Sequence, residues 1–256
     1  MKIRTACVSD IGSVRNVNQD AIVVKTLKKR KQMLAVGAVF DGIGGLEHGE
    51  LASGLLAQEL TEWIGLLPSR VDLLKVEPDI LFAHFTDEAE LLNEKLCMFI
   101  RKHGICTGST MSAIMIVQDQ YYVIQVGDSR VYRFHQFLEQ LTDDETKYEE
   151  KEGRIRKKLS NYMGKKENLE FIAYRGKVTP GDCFLFCSDG FYHHLLATDI
   201  TGLIHDDLKE KELETELGQL IKQMILRGER DNISVGIVNC GFEKKSGLFR
   251  RNNQRK

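Results

Sequence analysis

The sequence lacks both a strong charge bias and a long apolar run. Its 256 residues carry a formal net charge of -1, so composition alone gives no attraction to nucleic acid or to an anionic membrane. No apolar stretch approaches the roughly 20 residues of a membrane-spanning helix, and polar residues soon follow Met1, which leaves no room for a signal-peptide core. These absences predict a soluble, cytoplasmic protein without a membrane span or a nucleic-acid partner.

The absence of paired cysteine motifs and of common hydrolase and nucleotide-binding motifs excludes further classes of site. The six cysteines form no C-x-x-C pair, and most lie in apolar stretches, where a free thiol behaves as a small hydrophobic group. Cys183 and Cys187 share one face of a predicted strand, and a buried reduced pair explains them better than a zinc half-site or a disulfide. G-x-S-x-G, H-E-x-x-H and Walker P-loop motifs are all absent, which agrees with a chemistry that uses no side-chain nucleophile.

The most informative motif of the sequence is an aspartate followed by glycines. The apolar run at residues 33–40 ends at Asp41, and Gly42, Gly44 and Gly45 follow it. The run predicts a strand, and the glycines allow a sharp turn beside a ligand. A single Asp-Gly pair is most simply a turn. The G-x-G beginning at Gly42 also resembles a dinucleotide motif, but Glu47 takes its last glycine position and would repel a pyrophosphate.

An aspartate at the end of an apolar run recurs along the chain. Five aspartates lie at the ends of predicted strands: Asp20, Asp41, Asp128, Asp189 and Asp231. Two unit charges about 4 Å apart repel by roughly 4 kcal/mol at an effective dielectric near 20, so a cluster of them requires protons or cations. Oxygen ligands select Mg²⁺ or Mn²⁺ over Zn²⁺. Two such ions roughly 3.5 to 4 Å apart can hold and activate a water for attack at phosphorus.

The predicted elements indicate an α+β fold. Strands come in runs and helices cluster between them, which is typical of α+β rather than of alternating βαβ proteins. Strands are predicted at residues 3–8, 21–27, 33–40, 107–117, 121–126, 130–135, 137–141, 170–174, 183–188 and 233–240. Helices are predicted at 50–67, ended by Pro68, and at 79–103 and 213–226. Residues 142–164 are charged without a strong period, which predicts a mobile surface segment, and 242–256 form a basic, disordered tail after a domain spanning 1–241.

A family resemblance joins these motifs. The chain resembles the metal-dependent PPM-type serine/threonine protein phosphatases, most closely the bacterial ones, up to about Gly241. The motifs that match in order are Arg15 with Asn18-Gln19-Asp20, Asp41-Gly42-Ile43-Gly44-Gly45 with Gly49-Glu50, Gly108-Ser109-Thr110, Val126-Gly127-Asp128-Ser129-Arg130-Val131-Tyr132, Leu141-Thr142, Ser188-Asp189-Gly190 and Asp231-Asn232. Each motif is weak alone, but the ordered set is specific.

The resemblance implies a fold, a metal centre and roles for individual residues. It implies two antiparallel β-sheets packed as a central sandwich flanked by helices, with two Mn²⁺ or Mg²⁺ ions between the sheets. Asp41 would bridge both ions, Asp189 and Asp231 would hold one of them, and the Gly42 carbonyl would hold the other. Asp20 would orient metal-bound water, and Asp128 with Asp189 would bind a weaker third ion.

Arg15 has two interpretations from the residues alone. It is either a solvated loop cation or a planar fork that grips phosphate oxygens beside the acidic centre. The resemblance implies the second role. On this basis the catalytic residues are Arg15, Asp20 and Asp41, with Arg15 binding the substrate phosphate.

Some positions depart from the family pattern. Ile43 stands where many eukaryotic members have a histidine proposed as general acid, so leaving-group protonation would come from metal-bound water. His193 replaces an acid often found four residues after the position of Asp189, which bears on the third ion. A pair such as His193-His194 is more often structural than a ligand. Residues 142–164 are short for the family's flap, so its substrate contacts cannot be transferred.

Three functions follow from the sequence. The first is a metal-dependent phosphatase that hydrolyses phosphoserine and phosphothreonine in proteins by direct attack of a metal-bridging water or hydroxide, opposing a cognate serine/threonine kinase. The second is a catalytically silent member that binds a phosphoprotein or kinase. The presence of Asp41, Asp189 and Asp231 counts against it, because degenerate members usually lose metal ligands. The third, a small-molecule phosphomonoesterase, shares the chemistry of the first.

Overall fold

Two five-stranded antiparallel β-sheets pack face to face in the computed structural model, which describes residues 1–30, 32–43, 48–72, 75–151, 154–166, 168–204 and 208–241. The first sheet has the order β1-β12-β11-β6-β7, with β1 at Lys2–Asp10, β12 at Ile233–Gly241, β11 at Asp182–Cys187, β6 at Arg130–Phe134 and β7 at Leu138–Gln140. The second has the order β10-β5-β4-β3-β2, with β10 at Ile172–Lys177, β5 at Gln120–Val126, β4 at Met111–Val117, β3 at Gln32–Asp41 and β2 at Asp20–Lys29.

Helices cover the outer face of each sheet. Helices α1 (Gly49–Arg70) and α2 (Pro78–His103) pack on the second sheet. The short α3 (Asp189–Tyr192), a 3₁₀ helix (Ala197–Ile204) and α4 (Glu210–Leu226) pack on the first. The predicted α+β sandwich flanked by helices is therefore confirmed.

Strands in the middle of this arrangement are apolar on both faces. Every residue of β4, β11 and β12 is buried, because a helix layer covers one face and the other sheet covers the opposite face. Such strands appear in the sequence as continuous apolar runs, without the alternation of a half-exposed strand. This explains why these strands were predicted, although β4 begins at Met111 and not at the predicted residue 107.

The two sheets approach closely around one aromatic ring. Phe186 of β11 is fully buried in the core between the sheets, opposite Gly236 in the neighbouring strand. A Cβ atom built on Gly37, in the other sheet, would lie 2.5 Å from Phe186 Cζ. The ring thus occupies space that side chains at Gly37 and Gly236 would fill.

The helix α1 continues past the predicted stop at Pro68. It ends at Arg70, and the Val71 N–H donates to the Leu67 carbonyl at 2.9 Å. Proline removes one backbone donor from the helix. Here the loss falls in the last turn, where Leu67 is still buried against the core, so packing maintains the helix for two more residues.

The charged segment at residues 142–164 contains a β-hairpin that its pattern did not indicate. Strand β8 (Thr146–Lys151) pairs antiparallel with β9 (Arg154–Leu159). Its apolar residues Tyr148 and Ile155 are 75% and 74% exposed, so no apolar face generates a period of two. The pairing of the two strands through their backbones defines this hairpin, which the sequence pattern did not predict.

Cysteine burial agrees with the prediction. Cys183 and Cys187 are both fully buried, and both are free thiols. No helix in the described part of the chain is long and apolar enough to cross a membrane. The predicted basic tail at residues 242–256 lies outside the described residues.

Candidate active site

The pairing of β2 with β3 places two of the predicted aspartates side by side. Asp20 is the first residue of β2 and Asp41 is the last of β3, and the two are direct partners in the antiparallel register. Their position at the strand ends means that the ladder stops where the carboxylates begin. Two acids therefore meet at one end of the sandwich, as the sequence predicted.

Backbone and hydroxyl contacts fix the position of Asp41. Its N–H donates to Thr110 Oγ1 at 3.0 Å, and its carbonyl accepts from the Thr110 N–H at 2.8 Å and from Ser109 Oγ at 3.0 Å. Both hydroxyl residues precede β4, the strand next to β3. Ser109 and Thr110 of the Gly108-Ser109-Thr110 motif thus hold the backbone of Asp41 in place.

Gly42 lies where three parts of the backbone converge. Its N–H donates to the Gln19 carbonyl at 3.0 Å. A Cβ atom on Gly42 would be 2.6 Å from that same carbonyl oxygen and would also clash with Gly49 at the start of α1. Only glycine fits at this contact, which brings the loop before β2 onto the end of β3.

One cleft of about 440 Å³ opens at this end of the sandwich. Its lining includes these predicted site residues: Arg15, Asp41, Gly42, Asp128, Asp189 and Asp231. Of the predicted set, only Asp20 is not part of the lining. Its Oδ2 accepts a hydrogen bond from Ser188 Oγ at 2.7 Å, beside Asp41. Acids from distant parts of the chain therefore share one site.

Donors within the chain engage several of these carboxylates. Arg15 Nη2 donates to Asp231 Oδ2 at 2.6 Å, and Lys157 Nζ lies 3.4 Å from Asp128 Oδ2. No three His, Cys, Asp or Glu side chains among the described residues converge as a ready-made metal-binding group. The acids are neighbours, but these contacts direct them to separate partners.

Burial and mutual repulsion perturb the acids. Burial chiefly raises the pKa of Asp41 well above its usual range, and the charges of Asp20, Asp189, Asp128 and Asp231 raise it further. Burial raises the pKa of Asp189 to about 7, although His193 opposes the shift. For Asp20, burial outweighs the hydrogen bonds from serine and raises the pKa to about 6. The cleft therefore disfavours its own negative charge.

This donor set fits a hard divalent cation. The cleft offers carboxylate and carbonyl oxygens, which Mg²⁺ and Mn²⁺ prefer. Raised pKa values show that the cluster is unfavourable as free anions, and bound cations would relieve that repulsion. Among the described residues that line the cleft, His193 is the single imidazole and there is no cysteine, which disfavours a zinc site.

Asn232 follows Asp231 in one of the motifs that carry the family resemblance, but the sequence predicts no role for it. Asn232 Oδ1 accepts from the Gln19 N–H at 2.9 Å, and its Nδ2 donates to the carbonyls of Ile11 and Val17 at 2.9 and 3.1 Å. It is 4% exposed. The residue fixes the loop that carries Arg15 against the start of β12. Its adjacency to Asp231 was the only signal in the sequence.

His193 lies beside a second acid that the sequence did not reveal. Its Nδ1 is 3.4 Å from Oε2 of the buried Glu229, whose Oε1 accepts from the Asp231 N–H at 2.9 Å. Glu229 therefore holds both the backbone of Asp231 and the imidazole. His193 lines the cleft where the resemblance implied an acid.

The fold and the cleft together define an α+β sandwich protein with a carboxylate-lined site between its sheets. A family model described as protein phosphatase 2C matches residues 13–232. The chain belongs to the protein phosphatase 2C family, and the predicted resemblance to bacterial PPM-type phosphatases is confirmed.

Individual relatives and solved structures agree with this assignment. The chain is 25% identical over 253 residues to the serine/threonine phosphatase stp of Listeria monocytogenes, covering 93% of this chain and 96% of that protein. PppA, a key regulatory component of T6SS in Pseudomonas aeruginosa, has a similar structure with a TM-score of 0.70 at 25% identity, covering 93% and 98% of the two chains. The catalytic domain of the phosphatase PstP, solved with two manganese ions, shares the fold at a TM-score of 0.68 and 22% identity, covering 94% and 99%.

Proposed function

We propose that the protein is a metal-dependent serine/threonine protein phosphatase whose active site is the cleft at the end of the sandwich. The observation that carries this proposal is the convergence of Arg15, Asp41, Asp189 and Asp231 in one cavity. These residues come from four separate motifs of the sequence. Family membership and the named relatives support the same reaction.

The carboxylates are assigned to two divalent ions, Mn²⁺ or Mg²⁺. Asp41, Asp189 and Asp231 would hold them with the Gly42 carbonyl, and the manganese-bound PstP domain of the same fold supports this number. Bound cations supply Lewis-acid activation of water and neutralise phosphate charge. Asp20, fixed by Ser188 beside Asp41, is assigned to orienting the attacking water.

Arg15 is assigned to the substrate phosphate. Its side chain is 42% exposed at the cleft and contacts Asp231 through Nη2 alone in the described contacts. A guanidinium has five N–H donors in a rigid fork, so the remaining donors can engage phosphate oxygens. The residue thus places the ester beside the acids while its charge balances the phosphate.

Ile43 leaves the cleft without a proton donor at that position. It lines the cavity, and its backbone N–H donates to the Gly108 carbonyl at 3.0 Å. An apolar side chain there can exclude water from the ester but cannot protonate the leaving alkoxide. We therefore assign Ile43 to shaping the site.

Phosphoproteins are the proposed substrates, and a serine/threonine kinase is the proposed source of them. A phosphate monoester on serine or threonine forms by phosphoryl transfer from a nucleotide, so the class of enzyme that supplies this substrate is a protein kinase. The relatives are named as serine/threonine phosphatases. This supports protein substrates over small phosphate esters.

Turnover of a phosphothreonine peptide with Mn²⁺ and with EDTA tests the proposal. We expect phosphate release with Mn²⁺ and none above background with EDTA. Equal rates in both would reject metal-dependent hydrolysis, and peptide binding without turnover would identify a silent binding module instead. Competition between the peptide and a small phosphate monoester distinguishes a protein phosphatase from a general phosphomonoesterase.

A further inference from the structure

The β8–β9 hairpin brings a lysine into the cleft beside Asp128. Lys157 lines the cavity, and its Nζ lies 3.4 Å from Asp128 Oδ2 and 3.2 Å from Asp144 Oδ2. Both carboxylates are largely buried, with side chains 15% and 16% exposed. One ammonium group therefore bridges two acids at the edge of the site.

Hydrogen bonds to Gly127, the residue before Asp128, hold the base of the hairpin. The Glu145 N–H donates to the Gly127 carbonyl at 2.9 Å, and Glu145 Oε2 accepts from the Gly127 N–H at 2.9 Å. The Ser160 N–H donates to the Glu145 carbonyl at 2.8 Å, which ties the other end of the hairpin to the same point. Lys157 is thus held near Asp128 by backbone contacts as well as by charge.

Asp144 is already fixed by a second cation. Arg130 donates to its two carboxylate oxygens at 2.8 and 2.9 Å through Nε and Nη2. The guanidinium of Arg130 also lies 3.7 Å from the centroid of the Tyr192 ring. Lys157 and Arg130 therefore balance the charges of Asp128 and Asp144 locally. A further cation beside Asp128 would be repelled by the Lys157 ammonium group.

On the side of Asp189, the described lining of the cleft contains no acid beyond Asp41, Asp128, Asp189 and Asp231. His193 stands there, and its Nδ1 is 3.4 Å from Glu229. A neutral imidazole is a poorer ligand for Mg²⁺ or Mn²⁺ than a carboxylate. The donor set for a weakly bound third ion is thus incomplete on one side and occupied by Lys157 on the other.

We propose that Lys157 is the chain's own cation at Asp128, so that the cleft binds two divalent ions and excludes a third. The proposal rests on the proposed metal centre, and it concerns only the site beside Asp128. It also gives the hairpin a defined function, which is to deliver a fixed positive charge to the active site.

Mn²⁺ stoichiometry tests this assignment without measuring activity. We would titrate the metal-free protein with Mn²⁺ and count bound ions by equilibrium dialysis and by the electron paramagnetic resonance of free Mn²⁺. The wild type should bind two ions per chain. Lys157→Gln should bind a third, with at least about tenfold tighter affinity at that site than the wild type, because the positive charge beside Asp128 is removed.

Two further variants complete the test. Lys147→Gln removes the same charge from the same hairpin, where Lys147 pairs with Glu149 at 2.7 Å outside the cleft lining, and it should bind two ions. Asp128→Asn should leave the wild-type count at two and should abolish the third ion in the Lys157→Gln background. Circular dichroism confirms that each variant is folded.

The outcomes separate this proposal from the proposed function. Three ions in the wild type, or two in both the wild type and Lys157→Gln, would overturn the role of Lys157 and leave the two-ion centre intact. No bound Mn²⁺ in any variant would overturn the metal centre itself.

Discussion

Asn232 connects the first loop of the chain to its last strand. Its buried side-chain amide donates two hydrogen bonds to the segment that carries Arg15 and accepts a third from it. A buried polar group that loses its partner costs about 1 to 3 kcal/mol. The position of Arg15, which we propose binds the substrate phosphate, therefore depends on the side-chain amide of Asn232.

We expect Asn232→Ala to lower the free energy of unfolding by about 1 to 3 kcal/mol, because it leaves buried backbone groups without partners. The change should also raise KM for a phosphopeptide, since Arg15 loses its fixed loop. Urea unfolding measures the first effect and steady-state kinetics the second. Exposed Asn168 provides the control: Asn168→Ala should change stability by less than about 0.5 kcal/mol. Equal effects from both variants would contradict the assigned role.

Asp189→Asn tests the acid at the start of α3. The substitution preserves size but removes a charge from the cleft. We expect at least a 10 to 100-fold loss of phosphatase activity, because even residues that only support metal ligands typically contribute that much. Asp119→Asn, in the exposed turn between β4 and β5 at the other end of those strands, should retain full activity. Wild-type turnover by Asp189→Asn would count against the assignment.

At the scale of elements, the best-predicted strands were those with two covered faces. Residues 183–188 and 233–240 were predicted almost within their observed bounds, because continuous apolar runs mark buried strands. The hairpin β8–β9 was missed because its charged residues hide the period of two. The contribution of Lys157 to the cleft was missed for the same reason, since it depends on where that hairpin folds. The strand-end aspartates were recognisable because an aspartate at the end of an apolar run recurs along the sequence.

Gly37→Ala tests the contact between the two sheets. A Cβ atom there would lie 2.5 Å from the Phe186 ring, so we expect the substitution to destabilise the protein by about 1 to 3 kcal/mol through overpacking. Gly54→Ala is the control, because Gly54 is exposed within α1 with no atom within 4 Å of an added Cβ. That change should stabilise the helix by about 0.4 to 1 kcal/mol. Chemical denaturation of both variants would give effects of opposite sign, and a neutral Gly37→Ala would show that the ring can move.

At the scale of the whole molecule, the acidic cleft makes stability depend on pH and on metal. The pKa of Asp189 is raised to about 7 and that of Asp20 to about 6, each from 3.8. A raised folded-state pKa favours the protonated folded form. The stabilisation of the folded state by protonated Asp189 and Asp20 is complete below about pH 4, and it is lost as the pH rises through about 6 to 7.

The free energy of unfolding of the metal-free protein should therefore carry a component that falls between about pH 4 and 7. The difference between the wild type and Asp189→Asn in EDTA isolates this component, because the asparagine does not titrate in this range. Denaturant unfolding at several pH values measures it. A difference that stays constant, or that favours the wild type as the pH rises, would contradict the raised pKa.

Mn²⁺ should reverse the penalty at high pH. A ligand present at 100 times its dissociation constant stabilises the folded state by about 2.7 kcal/mol. We expect the melting temperature at pH 8 to rise with millimolar Mn²⁺ and to return to the metal-free value with excess EDTA. An unchanged melting temperature would show that no ion binds the folded protein.

The distribution of polar contacts makes the two ends of the sandwich unequal. At the cleft, Ser188 bonds to Asp20 and Asn232 bonds to Gln19, so side-chain hydrogen bonds stitch one sheet to the other. At the far end, near Met1 and Met33, a cavity of about 410 Å³ separates largely apolar walls. We therefore expect the two sheets to separate first at the end near Met1 and Met33. Backbone amides at that end should exchange with deuterated solvent sooner than backbone amides next to the cleft. Local opening would then begin at the end of the sandwich opposite the cleft, and the cleft itself would keep its geometry.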